Sequence, residues 1–412
     1  MAFLKSIRLA GFLSYSPDAP AIDLAPLNVL IGPNASGKSN LIEAIELLRA
    51  APTAFAAAIR DGGGAREWLW KGDRASSQAT VDVVTSEAVP VPDLRYFLTF
   101  TASGTRTEIL DEAIEETEKR FASEKDVYFY YRFQHGRPVL NTCQTSTTTL
   151  TTTTPGPTAA ATANKAQRTL RQLARQSLIP DESVLSQRKD PELYPELYWL
   201  GSQFALIQTF REWSFGRYVA LRQPQPADLP TDVLLPDSRN LGLLLNALEH
   251  TGASQEFNRL LVQFLPRYVR FSTLVQGGTV QFYLHESGLK APIPATRLSD
   301  GTIRFVAMLA LLMSPAPPPL LCIEEPELGL HPDAIGLLAD LFVSASTRSQ
   351  LIVTTHSDTL VSALTDEANS VVVCDYRGGT VLQRVDAAEL DLWLDKYRLG
   401  EVWRIGELGG NP

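Results

Sequence analysis

The sequence predicts an α/β fold with a mostly parallel core sheet, an antiparallel β lobe and an inserted helical lid. Three observations predict it. A buried-strand pattern, Leu27 to Ile31, runs straight into a glycine-rich loop and then a helix. From Arg297 onward the chain alternates loop, helix, strand, helix, strand, helix, strand, the pattern of a parallel sheet. Between these ends lie strand-like runs at 80–133 and helical segments at 164–177, 197–214, 238–250 and 254–265.

Size and composition set the bounds. At 412 residues the chain exceeds a usual single domain, so a compact head plus a second lobe or large insertion is expected. Hydrophobic content of 44% and charged content of 20% exclude a disulfide scaffold and a wholly disordered chain. Cys143, Cys322 and Cys374 offer neither a disulfide framework nor a zinc spacing, which points to a reducing, cytoplasmic setting. The longest apolar run, Phe305 to Met313, falls far short of the roughly 20 residues that span a bilayer, so no membrane is expected as partner. The start, MAFLKSIRLAGFLSY, is read as a strand rather than a signal peptide, because Lys5 and Arg8 interrupt it. A net charge of −9 excludes a uniformly basic nucleic-acid binder and leaves room for a local basic patch.

Residues 1–50 read as strand, turn, strand, loop, helix. The runs VDVV, LRYFLTF and VYFYYRF follow as strands, with an acidic helical stretch from Thr107 to Lys125 before the last. Thr142 to Ala163 is low in complexity and nearly without large apolar groups, the composition of a mobile loop or linker. The expected division is 1–141 for the first part of the head, 142–266 for the loop and helical lid, and 267–412 for the rest of the head.

The segment Gly32-Pro33-Asn34-Ala35-Ser36-Gly37-Lys38-Ser39, with Asn40 behind it, fits G-x-x-x-x-G-K-S and has a strand before it and a helix after it. Its glycines let backbone amides approach phosphate oxygens, and the helix contributes the positive end of its dipole. Lys38 is expected to reach the β- and γ-phosphates, and Ser39 to ligate Mg2+. Downstream, the apolar strand Leu320 to Ile323 ends in Glu324-Glu325-Pro326. A carboxylate at such a strand end holds Mg2+, here Glu324. Its neighbour, Glu325, is placed to take the proton of the attacking water. A third strand, Leu351 to Val353, ends in Thr354-Thr355-His356-Ser357, where His356 can donate to the γ-phosphate or the lytic water.

Leu298-Ser299-Asp300-Gly301-Thr302 precedes an apolar helix and resembles the ABC signature motif. The chain order of loop, signature, carboxylates and histidine resembles the ABC-type ATPase heads of the RecF/SMC group. The block IEEPELGLHPDAI, with His331 and Pro332, is similar to the Walker B and D-loop of RecF-like and OLD-type ATPases. The tail KYRLGEVWRIGELGG is similar to the bacterial AAA family of predicted ATPases related to RecF. The resemblance covers roughly the first 50 and last 115 residues. Asp300 stands where glycine is usual, Thr302 where glutamine is frequent, and Glu324 where aspartate is usual. These departures are common in the RecF-like branch. The Q-loop glutamine stays open between Gln78 and Gln134. The long interval from Lys38 to Ser299 separates the chain from transporter ATPases, and Pro180, Pro191, Pro195 and Pro224 break any long coiled coil.

The resemblance implies a P-loop NTPase with an ABC-type head, ATP and Mg2+ as cofactors, and a homodimer formed on ATP binding. Ser299, Asp300 and Gly301 of one copy then complete the partner's site. It implies ATP hydrolysis in DNA repair or maintenance. The alternative is a regulatory ATPase subunit of an antiphage defence system that controls a separate effector protein such as a nuclease. The 56 residues after His356 are too few for an OLD-type nuclease domain. Lys165, Arg168, Arg171 and Arg175 recur at helical spacing, either as a DNA-contacting stripe or as a solvated face with Leu170 and Leu173 inward. Trp68 and Trp70 are expected to pack rather than to stack bases.

Overall fold

The computed structural model describes residues 2–410, apart from 73–74, 87–91, 125, 135–136, 145–166, 173–177, 212, 214–215 and 217, and apart from the side chains of 134, 143–144, 167–172 and 391. The chain forms two compact units. The first holds Met1–Lys5, Ile22–Glu43 and Leu206–Pro412; the second holds Ser6–Ala21 and Ala44–Ala205.

The first unit is built on a six-stranded sheet in the order Gln208–Phe210, Leu320–Glu324, Gln350–Thr354, Leu27–Ile31, Val371–Tyr376, Thr380–Arg384. The first five strands are parallel and the last returns antiparallel. All five positions of Leu27–Ile31 and of Gln350–Thr354 are buried, because parallel strands are covered on both faces. The helix Asp300–Leu312 is buried at ten successive positions, Ile303 to Leu312, as befits a helix apolar on all sides. Phe305 in that helix stacks on Phe264 with centroids 4.0 Å apart. A small antiparallel sheet pairs Tyr268–Gln276 with Thr279–Glu286.

In the second unit, Gln78–Thr85, Leu94–Ser103, Arg106–Glu116, Phe129–Gln134, Arg137–Gln144 and Gln167–Gln172 pair antiparallel in succession. Tyr96 packs edge-on against Phe204, and Phe55 against Phe100. Trp68 and Trp70 are buried, and the Trp68 indole donates to the Ile59 carbonyl at 3.0 Å, so these tryptophans pack. Among the described residues, no helix is long and apolar enough to cross a membrane.

Four expectations are corrected. The acidic stretch from Thr107 is a strand, Arg106–Glu116, not a helix. Its carboxylates are not a solvated face: Glu112, Glu115 and Glu116 are buried and paired. Glu112 accepts from the Tyr96 hydroxyl and the Val184 amide, both at 2.9 Å, and burial pushes its carboxyl up to about 7. Residues 167–172 are a strand, not part of a helix over 164–177. Pairing with Arg137–Gln144 holds their backbone extended, and residues three apart in a strand face opposite sides. Lys165, Arg175 and most of the low-complexity segment lie outside the described residues. The helix expected over 197–214 stops at Ala205, and Gln208–Phe210 joins the parallel sheet instead. Finally, 142–266 is not one helical lid. Helices Leu241–Glu249 and Ser254–Phe264 bury Leu244, Leu248, Phe257 and Leu261 in the core of the first unit.

Candidate nucleotide site

Three parallel strands deliver the site to one edge of the sheet. Glu324 lies opposite Thr354, and Thr354 opposite Leu30, so the loops after all three strands open together. Gly32 follows the central strand with φ +144°, and a Cβ there would lie 2.1 Å from the Cys374 carbonyl. Only glycine fits this approach. The Thr380 hydroxyl donates to the Ser36 carbonyl at 2.8 Å and pins the loop from the neighbouring hairpin. Lys38 Nζ donates to the carbonyls of Gly32 at 2.7 Å and Pro33 at 3.0 Å. Burial draws the Lys38 pKa down, and Cys374, Glu325 and Glu324 oppose that shift. The ammonium therefore sits in the field of both candidate carboxylates. Ser39 and Asn34 are exposed, and Asn40 is half-buried.

Glu324 Oε2 accepts from Arg211 Nε at 3.1 Å, while Oε1 is buried with no partner among the described residues. An orphaned buried carboxylate oxygen fits a hydrated cation beside it. No group of three or more His, Cys, Asp or Glu among the described residues could form a metal cage. A single strand-end carboxylate suits Mg2+, which takes one or two protein ligands and completes its octahedron with phosphates and water.

Glu325 has left-handed backbone (φ +44°), a sparsely populated state for a side chain with a Cβ. Its amide donates to the Thr354 carbonyl at 3.0 Å, which fixes the turn. Glu325 Oε1 stands 3.8 Å from His356 Nε2. Burial, then the Lys38 charge, draws the His356 pKa down, and Glu325 opposes. Glu327 completes the group: Oε1 accepts from the Thr355 hydroxyl at 2.6 Å and the His356 amide at 3.1 Å. Burial pushes the Glu327 carboxyl up.

Ser299 caps the helix Asp300–Leu312, its hydroxyl accepting from the Thr302 amide at 3.1 Å. Asp300 pairs with the buried Arg222, which also donates to the carbonyls of Leu298 at 2.6 Å and Ala295 at 3.2 Å. Gly301 approaches the stretch after the carboxylates so closely that a Cβ would lie 2.8 Å from the Gly329 carbonyl. His331 is exposed and caps the helix Pro332–Ser346.

The structure thus gathers Lys38, Glu324, Glu325 and His356, and joins Gly301 to the loop after Glu325. Gln78 and Gln134 belong to the second unit, not to this sheet. Sequence reasoning missed Arg211, Arg222 and Glu327. Only Glu327 carried a local signal, as the third acid of Glu324-Glu325-Pro326-Glu327.

The fold is similar to an Smc head bound to the C-winged helix domain of ScpA, with a TM-score of 0.58 at 14% identity, covering 94% of this chain and 99% of that one. A stretch of 73 residues, 18% of this chain, is 36% identical to the Old nuclease of Escherichia phage P2 and covers 12% of it. Another of 46 residues, 11% of this chain, is 50% identical to the DNA replication and repair protein RecF of Thermosynechococcus vestitus and again covers 12% of that protein. One family model matches from the P-loop strand to the helix after His356, residues 27–362, and so the chain, whose fold is Smc-head-like, belongs to the family described as "AAA domain, putative AbiEii toxin, Type IV TA system".

Proposed function

We propose that two copies of the protein sandwich ATP and that hydrolysis proceeds by in-line attack of water on the γ-phosphate. The observation that carries this reading is the opening of the three loops together at the strand ends, with His356 Nε2 3.8 Å from Glu325 Oε1 and Lys38 in the field of Glu324 and Glu325. Lys38 stabilises phosphate charge. Glu325 takes the proton of the attacking water, and its backbone turn holds the carboxylate on the site side of the strand end. His356, kept neutral by burial and Lys38, donates to the γ-phosphate. Backbone amides of Gly32 to Ser39 cradle the phosphates. Ser39 and Glu324 would hold Mg2+, whose chemistry there would be to neutralise phosphate charge.

Ser299 and Asp300 are exposed, so a second copy's nucleotide can reach the signature loop. The setting we infer is DNA repair or maintenance, supported by the stretch shared with RecF. The stretch shared with a phage nuclease supports a second reading, a regulatory ATPase of an antiphage system acting on a separate effector.

The test is Glu325→Gln with ATP and Mg2+, followed by light scattering. The variant should bind ATP, hydrolyse it about 10²–10⁴-fold more slowly and accumulate as a dimer. Wild-type turnover by this variant would reject the role of Glu325, and a persistent monomer would reject the sandwich. Stimulation of the wild-type ATPase by gapped, duplex or single-stranded DNA separates the two settings.

A further inference from the structure

The geometry points to Arg211 as the positioning residue for the metal-side carboxylate, an inference that rests on the reading of Glu324 above. Arg211 directly follows the edge strand Gln208–Phe210, whose Phe210 lies opposite Ile323. It therefore emerges level with Glu324. Its Nε donates to Glu324 Oε2 at 3.1 Å, and its Nη2 donates to Glu43 Oε1 at 3.2 Å. Glu43 lies on the helix Lys38–Ala50, one turn after Ser39 and on the same face. One guanidinium thus ties the strand-end carboxylate to the helix that carries Ser39.

The two Glu324 oxygens have different surroundings. Arg211 takes Oε2, and Oε1 is buried without a partner among the described residues. A planar guanidinium bonded at Oε2 and anchored at Glu43 fixes the plane of the carboxylate. Oε1 is then presented with its lone pairs ready for the hydration shell of the ion. Carboxylates on both sides hold the arginine in place. The arrangement is that of an outer-shell partner, whose loss weakens metal binding while leaving the ligand itself intact. A competitor for the metal would instead cover both oxygens.

The experiment uses the full chain and a fluorescent ATP analogue titrated with Mg2+. It reads nucleotide affinity without Mg2+ and the Mg2+ concentration that half-maximally enhances it. Arg211→Gln should raise that concentration by about 10-fold or more and leave the Mg2+-free affinity unchanged. Arg211→Lys should recover part of the effect, because an ammonium keeps the charge and loses the fork. An unchanged or lowered Mg2+ requirement in Arg211→Gln, beside a wild type with Mg2+-dependent binding, overturns the inference and spares the reading of the site. Equal loss of affinity with and without Mg2+ also overturns it, since that is a general structural defect. A wild type whose nucleotide binding ignores Mg2+ overturns both. Should Arg211→Gln fail to fold, Glu43→Gln carries the test: a several-fold rise supports the inference, and no change overturns it.

Discussion

The Glu327 carboxylate accepts the backbone N–H of His356 at 3.1 Å with the same oxygen that takes the Thr355 hydroxyl at 2.6 Å. The position of His356 is therefore set by an acid on the loop that also carries Glu325. The Thr355 amide, in turn, donates to the Leu30 carbonyl at 3.1 Å. Histidine loop, carboxylate loop and P-loop strand are joined through two consecutive residues.

Glu327→Ala should lower kcat with little change in KM. A hydrogen bond to a charged group contributes about 1.5–3 kcal/mol, which is a factor of about 10–150 in rate if all of it falls on the reacting geometry. Glu327→Gln keeps an acceptor oxygen and should stay within about threefold of wild type. Equal loss in both variants, measured by steady-state phosphate release, would mean that the charge rather than the acceptor matters.

Lys38→Met should reduce turnover by about 10²–10³ or more, the usual effect of removing one preorganised charge at a transition state. Its effect on the unliganded protein has the opposite sign. A base with a lowered folded pKa is carried at neutral pH as a cation that folding disfavours, so its removal should leave the Tm equal or higher. The Tm rise with ATP, which corresponds to about 2.7 kcal/mol for wild type at a hundredfold excess over Kd, should vanish. Differential scanning fluorimetry with and without nucleotide reads both effects.

His356 should be neutral at pH 7 in the free protein, since burial and Lys38 hold its pKa below 6.5. The folded state then takes up this proton later than the unfolded state. Stability from this group is complete above pH 6.5 and falls as the pH drops through the folded value. Urea midpoints between pH 7.5 and 5 should therefore decline, and His356→Gln should flatten the decline. A steeper decline in the variant would contradict the direction of the shift.

Arg222→Ala should destabilise the first unit by about 2–4 kcal/mol, because a buried cation leaves two carbonyls and a carboxylate behind. Asp300 is 71% exposed, so Asp300→Asn should cost at most about 1 kcal/mol. Denaturant melts of the two variants distinguish a carbonyl brace from an ion pair. Similar losses in both would assign the effect to the charge pair.

The contiguous parts of the site were legible because their chemistry is local. The P-loop reads as strand, glycines, lysine and helix in one stretch, and the two other loops each follow an apolar strand. Arg211 could not be found that way, since its partners lie 113 and 168 residues distant. Arg222 meets Asp300 across 78 residues. The same cause produced the misreadings. Acids in Arg106–Glu116 suggest a helix until Arg95, Arg132 and Tyr96 arrive from other strands. Basic residues at 165–175 have helical spacing, yet a ladder to Arg137–Gln144 decides the backbone over Gln167–Gln172.

The P-loop strand Leu27–Ile31 lies between Gln350–Thr354 and Val371–Tyr376, and Asn28 bonds the Leu351 carbonyl across 323 residues. Synthesis therefore delivers the phosphate loop early and its neighbours late, a delay of roughly 15–60 s at ~5–20 residues per second. During that interval Leu27–Ile31 has no sheet to join, and Glu324, Glu325 and His356 are still to be made. A ribosome-bound fragment that stops short of Tyr376 cannot assemble the nucleotide pocket.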